Sequence, residues 1–146
     1  MMIETVRKVT QAEYLRELEQ KYGPIEKLRK AAKKDFFKEG MLEQWEHMLA
    51  HPERNEQSIT QTRALIFPDV QAFLALLNRQ RLEILGHLKD HPEVESLNRL
   101  AKDLDRDYRN VHSDIQKLAS AGMVRLEERA NRIVPHLAIE KFSVTV

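Results

Sequence analysis

The run LNRLAKDLDRDYRNVHSDIQKLASAGMVRLEE, from Leu97 to Glu128, keeps helical apolar spacing on both sides of a short polar interruption. Leu97, Leu100, Ala101 and Leu104 stand at i, i+3, i+4 and i+7. Val111, Ile115 and Leu118 resume at i, i+4 and i+7, and Tyr108 extends that stripe one turn earlier. Such spacing predicts two amphipathic helices joined by a turn of about three residues, the second crossing the first: a helix-turn-helix arrangement. Ser96 is placed to cap the first helix and Asp107 the second. Asp105 occupies the turn, where a left-handed backbone is needed and aspartate tolerates it better than most residues.

The second helix, 107–121, carries the candidate chemistry. At about 100° per residue, the face opposite its apolar stripe holds Arg109, Ser113, Gln116, Lys117 and Ser120, with Asn110 and His112 at the margins. Asp114 falls about 60° from the stripe on the same spacing, which predicts a position on the helix flank. The strip therefore contains no acid. Arginine can read guanine with two hydrogen bonds, asparagine and glutamine can read adenine, and serine and lysine reach phosphates. Any exposed helix face is polar, so the strip gains weight only from its neighbours. Arg106, just ahead of the helix, joins the predicted DNA-facing set.

A third piece follows in GMVRLEERANRIV. Gly122 ends the helix, and residues 123–134 read as two short strands around a polar tip bearing Arg129, Asn131 and Arg132. A β-ribbon beside a helix-turn-helix is a wing, and basic wing tips lie along phosphates or in the minor groove. Glu127 and Glu128 oppose that role. A final strand is predicted in KFSVTV, where Phe142, Val144 and Val146 alternate with Ser143 and Thr145.

Upstream, Thr10 and Glu13 form a capping box ahead of AEYLRELEQKYG, and Gly23-Pro24 ends one helix and opens the next. That next helix is expected to run to Gly40 as its C-cap, followed by a third helical segment stopped at Pro52. SITQTRALIF reads as a strand, DVQAFLALLN as a short buried helix capped by Asp69, and RQRLEILGHLKDHPE as a helix facing inward through Leu82, Leu85 and Leu88. The expected organisation is an N-terminal helical extension, 1–57, and a second domain, 58–146. The extension's apolar stripe is thin for an independent domain. Phe36, Phe37, Leu42, Trp45, Met48 and Leu49 are accordingly expected at a dimer or partner interface.

Several function classes lose support. Net charge is +1, so composition alone carries no nucleic-acid signal, and KLRKAAKK, 27–34, with five basic residues and no acid, is the main local asymmetry. Cysteine is absent, which excludes disulfides and thiolate metal sites and fits a reducing, cytoplasmic setting. No apolar stretch approaches transmembrane length, and the N-terminal residues have no secretory pattern, so no membrane role is expected. His47/His51 and His87/His91 have the i, i+4 spacing of zinc ligands, but each second histidine precedes Pro-Glu at a helix end and no third ligand is evident. No glycine-rich phosphate loop is present. Neither an enzyme nor a metal or other cofactor is expected.

The string LNRLAKDLDRDYRNVHSDIQKLASAGMV resembles the winged helix-turn-helix of MarR-like and ArsR-like regulators, with LA-x-x-L, a turn, a recognition helix, then L-x-x-x-G-L-[VI]. More narrowly, LAKDLDRDYRNVHSDIQKLASAGMV is similar to a small prokaryotic family of DNA-binding regulators with an LGRDYKNVHRDVKALEELGLI-type core. In that family an LTPKRLEIL-like helix precedes the core and a VPYDEIRIEV-like strand follows the wing. Here LLNRQRLEIL and VPHLAIEKFSVTV stand in those places, and the likeness extends over about residues 41–146. Asp105 departs from the family's usual glycine, and Ser113 and Gln116 from its basic residue and its valine or lysine. The resemblance implies a mainly α fold with a small β component: a winged helix-turn-helix with an N-terminal helical extension. It also implies a sequence-specific regulator of double-stranded DNA, a homodimeric repressor on a palindromic operator. Some members are regarded as TumA-type antitoxins, which opens the alternative of a protein that neutralises a small cognate toxin by direct contact.

Overall fold

Strands and helices come in runs, three helices after the first strand, four after the second, and three strands at the end. The computed structural model covers residues 1–146. It runs β1 (Met2–Thr10), α1 (Gln11–Tyr22), α2 (Ile25–Ala32), α3 (Phe36–Leu49), a 3-10 turn (Pro52–Arg54), β2 (Ser58–Ile66), α4 (Val70–Leu76), α5 (Arg79–Asp90), α6 (Leu97–Asp103), α7 (Tyr108–Ser120), β3 (Val124–Arg129), β4 (Arg132–Leu137) and β5 (Lys141–Thr145). The fold is mixed α/β, with 52% helix and 24% strand, more strand than a mainly α reading expects. Two compact units are present, Lys8–Gln61 and Met1–Arg7 with Thr62–Val146. The boundary thus falls within β1 and β2, whereas the sequence placed it between 57 and 58.

In the unit Lys8–Gln61, Thr10 caps α1 by accepting from the Glu13 backbone N–H at 3.2 Å, as its capping-box position predicts. The helix expected to run to Gly40 instead breaks after Ala32. Asp35 restarts it, its Oδ1 accepting from the N–H groups of Phe37 (3.0 Å) and Lys38 (3.3 Å). Gly40 therefore lies inside α3, not at a C-cap. Leu18, Leu28, Trp45 and Met48 form this unit's core, with Leu42 packed against it. The buried Gln11 side-chain amide donates to the carbonyls of Met48 (3.2 Å) and His51 (2.9 Å) and to Asn55 Oδ1 (2.9 Å). The thin stripe is thus enough to close a small core.

In the other unit, β1 lies between β2 and β5, a sheet of order β2-β1-β5. β1 pairs with β5 antiparallel, Ile3 opposite Val144 and Thr5 opposite Phe142. β1 is not signalled by apolar alternation, because polar Thr5 takes an inward position beside buried Ile3. α4 is correctly capped, Asp69 Oδ1 accepting from Ala72 N–H at 2.8 Å, yet it is not the buried helix expected: Val70 and Leu74 are 55% and 52% exposed. Only its Phe73 and Leu76 side pack on the core.

α5 shows a second correction. Its inward positions are Arg81, Ile84, Leu85 and Leu88, and Leu82 is 43% exposed. The inward face read from Leu82, Leu85 and Leu88 does not include Arg81. The structure buries it by supplying counter-groups: Arg81 Nε donates to Asp114 Oδ1 at 3.1 Å, and Nη1 donates to the carbonyls of Ala75 and of Leu76, the latter at 2.9 Å. Arg106 Nη2 reaches the other Asp114 oxygen at 2.6 Å. Asp114, expected on the flank of its helix, is therefore in the interior.

Removing one member of a buried ion pair strands the other charge, at a cost of about 3–5 kcal/mol. Asp114→Ala is expected to lower unfolding stability by that amount in urea denaturation, and Arg79→Ala, at a 92% exposed side chain with one surface partner, by less than about 1 kcal/mol.

Candidate nucleic-acid interface

Local chemistry fixes the angle between α6 and α7. Ser96 caps α6 by accepting from Arg99 N–H at 3.1 Å. At its other end Asp105 adopts φ 50°, and the Arg106 N–H reaches back to the Ala101 carbonyl at 2.9 Å, the bond that closes a helix with a left-handed residue. Asp107 then starts α7, its Oδ1 accepting from Arg109 N–H at 3.2 Å. Both aspartates thus have the turn and cap roles read from the sequence. Gly122, at φ 77°, ends α7 in the same manner, with Met123 N–H bonded to the Leu118 carbonyl at 3.0 Å.

Val111, Ile115 and Leu118 are fully buried, so α7 is anchored along one whole side. Its other side exposes Arg109, Asn110, Ser113, Gln116 and Lys117, with His112 half-buried against the Tyr108 ring. Tyr108 itself is 41% exposed and does not extend the apolar stripe into the core. Ser120 is exposed too, but its hydroxyl donates to the Gln116 carbonyl of its own helix at 2.9 Å. Arg106 lies at the foot of this face. Its guanidinium bonds Asp114 through Nη2 and its side chain is 15% exposed, so it is far less open to solvent than the rest of the predicted set. A depression beside it is lined by Gln80, Asn110, Ser113 and the exposed N-cap Asp107, together with that ion pair. Gln80, which α5 contributes, carried no signal in the sequence: it is an ordinary exposed helix residue made relevant by its neighbours.

The hairpin β3–β4 turns through Ala130 and Asn131, at φ 50° and 64°. Two consecutive left-handed residues make the tight turn whose twist matches that of the strands. Arg129 and Arg132 face each other across the last rung, with Asn131 exposed beside them. Arg129 Nη2 is held by Glu127 Oε1 at 2.9 Å, and the other Glu127 oxygen meets His136 Nε2 at 2.7 Å. Arg132 is 3.9 Å from Glu95. Both arginine side chains are more than half exposed. The hydrogen bond from Arg129, then that from His136, holds the Glu127 carboxyl below the ordinary glutamate range.

The interface residues expected in the N-terminal segment divide. Trp45 and Met48 are buried in their own unit, and Leu42 is partly buried against the same core, which removes them from a set left open for a partner. Phe36 and Phe37 are 84% and 86% exposed, and Leu49 is 49% exposed. The two histidine pairs bring their rings to 4.7 and 4.4 Å, but no group of three or more metal-binding side chains is assembled. No helix is long and apolar enough to cross a membrane.

A family model, HVO_A0114, matches residues 76–144, from the end of α4 through β5 and including α6, α7 and the hairpin. No curated protein and no solved structure matches the chain.

Because Glu127 is depressed in the folded chain, its contribution to the hairpin is present above the unfolded-state value and is lost as pH falls through the folded one. In a carboxyl-carbon NMR titration, Glu127 is expected to have a lower midpoint in the wild type than in Arg129→Ala. Equal midpoints would show that the Arg129–Glu127 bond is not held in solution.

Proposed function

We propose that this chain is a sequence-specific regulator of double-stranded DNA, a winged helix-turn-helix in which α7 reads the major groove and the β3–β4 hairpin follows the backbone or minor groove. The observation that carries this reading is the fate of the one acid in α7. Asp114 is turned inward and neutralised, so that the helix presents Arg109, Asn110, Ser113, Gln116 and Lys117 to solvent with no carboxylate among them. Major-groove readout needs such a set: a forked donor for guanine, amides for adenine, and short hydroxyls or a lysine for phosphate. α7 is rigidly buried along its opposite side, which suits a helix that must enter a groove about 12 Å wide without deforming. The match to HVO_A0114 spans these elements and is compatible with the reading.

A protein-binding antitoxin is the second reading, and Phe36 and Phe37 favour it, since two adjacent aromatic rings left in water are costly unless a partner covers them. Under that reading a Phe36→Ser/Phe37→Ser variant loses toxin neutralisation in cells while keeping its DNA affinity.

For DNA, Arg109→Ala is expected to cost about 1–3 kcal/mol on the preferred site and to relax preference at one base pair. Fluorescence anisotropy on the preferred and a scrambled duplex measures both, and equal affinity of variant and wild type would remove α7 from the interface. Neutralising Arg129 and Arg132 together is expected to weaken binding to every duplex alike and to reduce the salt slope by about 1–2. An unchanged slope would mean that the hairpin does not touch DNA. Glu127→Gln, which frees Arg129, shifts nonspecific affinity in the opposite direction.

A further inference from the structure

β5 is an edge strand. It hydrogen-bonds to β1 on one side, and its other side has no strand beside it. An open strand edge of this kind is a template for pairing, which proteins normally blunt with charge, proline or a covering element. Here the edge carries no proline and a single charge, Lys141 at its start, and it is bordered by an apolar groove built from Phe73, Leu74, Leu82, Phe142 and Val144. Leu74, Leu82 and Val144 are 52%, 43% and 42% exposed. Val144 lies opposite the fully buried Ile3 and so belongs to the core-facing side of the sheet. It is wet only because the sheet ends there.

We propose that the occupant of this edge is a second copy of the chain, with β5 pairing antiparallel to its own counterpart across a two-fold axis. The proposal deepens the DNA-binding reading and rests on it for its purpose: one α7 reads only a few base pairs, and a dyad supplies the second half-site. Two features of the surface select a copy over an unrelated partner. The first is charge. The groove's rim carries one cation and one anion, Arg79 and Glu83, bonded at 3.1 Å. The rim is therefore close to neutral, which suits contact with a copy of itself and gives a strongly acidic or basic partner nothing to bind. The second is register. Pairing that uses all of Lys141–Thr145 centres the axis on Ser143 and sets Phe142 opposite the other protomer's Val144. Directly opposed residues share a sheet face, so this register places both apolar residues of each strand over the two grooves, and the polar Ser143 and Thr145 on the far side. A shift that centres on Phe142 sets Val144 against Glu140 and loses the match.

The test is sedimentation equilibrium of the full chain at micromolar concentration, without DNA. Wild type is expected near twice 17.2 kDa, and Leu82→Glu and Val144→Glu near the monomer mass. Both positions are exposed, and circular dichroism and urea unfolding confirm that the variants fold. Because the chain has no cysteine, Ser143→Cys places one thiol beside the axis, and a short bismaleimide is expected to link it into dimers much faster than Lys89→Cys, on an exposed position of α5. A monomeric wild type overturns the proposal, including one that gains mass only when a different protein is added. So do variants that stay dimeric, and equal cross-linking of the two thiols. Mass without DNA is independent of base reading: if Arg109→Ala keeps full affinity while Leu82→Glu is monomeric, the DNA reading fails and the interface stands.

Discussion

The arrangement of the larger unit depends on one carboxylate. Asp114 accepts from Arg81 of α5 through one oxygen and from Arg106 of the α6–α7 turn through the other, and its side chain is 10% exposed. Two cations and one anion leave a positive charge in a poorly hydrated place, which is costly unless other polar groups meet it. The carbonyls of Ala75 and Leu76, at the negative end of α4, supply part of that compensation through Arg81. Arg106 Nη1 is buried with no partner, a small remaining cost. A cluster of this kind contributes orientation more than net stability. It ties the ends of α4 and the faces of α5 and α7 to one atom pair, so α7 cannot rotate about its own axis without breaking a charged hydrogen bond.

That cluster also explains which parts of the chain were legible. The apolar spacing of α6 and α7, the caps at Ser96, Asp69, Thr10 and Asp107, and the left-handed Asp105 are local effects, each decided within four residues, and they were readable. Residues whose place is set by a partner distant in sequence were not. Arg81 occupies a core position because of Asp114, 33 residues away, and no periodicity rule admits an arginine there. Leu82 took its place in the reading and is found at the surface. β1 is similar: its inward Thr5 has a hydroxyl that donates to the Arg63 carbonyl at 3.4 Å, a partner on another strand. The string RDYRNVHSD begins at Arg106 and ends at Asp114. Its first and last residues form an ion pair that serves the placing of the turn.

The same distinction applies to the candidate site. Exposure of Arg109, Gln116 and Lys117 follows from helical geometry once the stripe is known. The withdrawal of Arg106 and Asp114 from that surface does not, because it needs the α5 partner. Their mutual neutralisation removes one cation and one anion from the face together, leaving its net charge unchanged while withdrawing the one acid within α7 itself. The hairpin does the reverse: Glu127 stays beside Arg129 and Glu95 near Arg132, and both arginines carry a competing carboxylate.

These charges set the kind of binding the proposed surface can support. Nonspecific affinity for DNA comes from phosphates neutralised and counterions released. In the proposed reading each chain would use Arg109, Lys117, Arg129 and Arg132 for that purpose, two of them already paired with glutamates, on a chain of net charge +1. On the proposed reading the long-range pull toward an arbitrary duplex is weak, and most of the binding energy has to come from α7 side chains at base edges. Amide and guanidinium contacts in the groove, unlike phosphate contacts, reward only the matching sequence. A surface with few free cations and several base-reading groups thus favours discrimination over affinity. Discrimination of that kind becomes tight binding only when two such surfaces are joined, because the second half-site then binds at the high effective concentration set by the first.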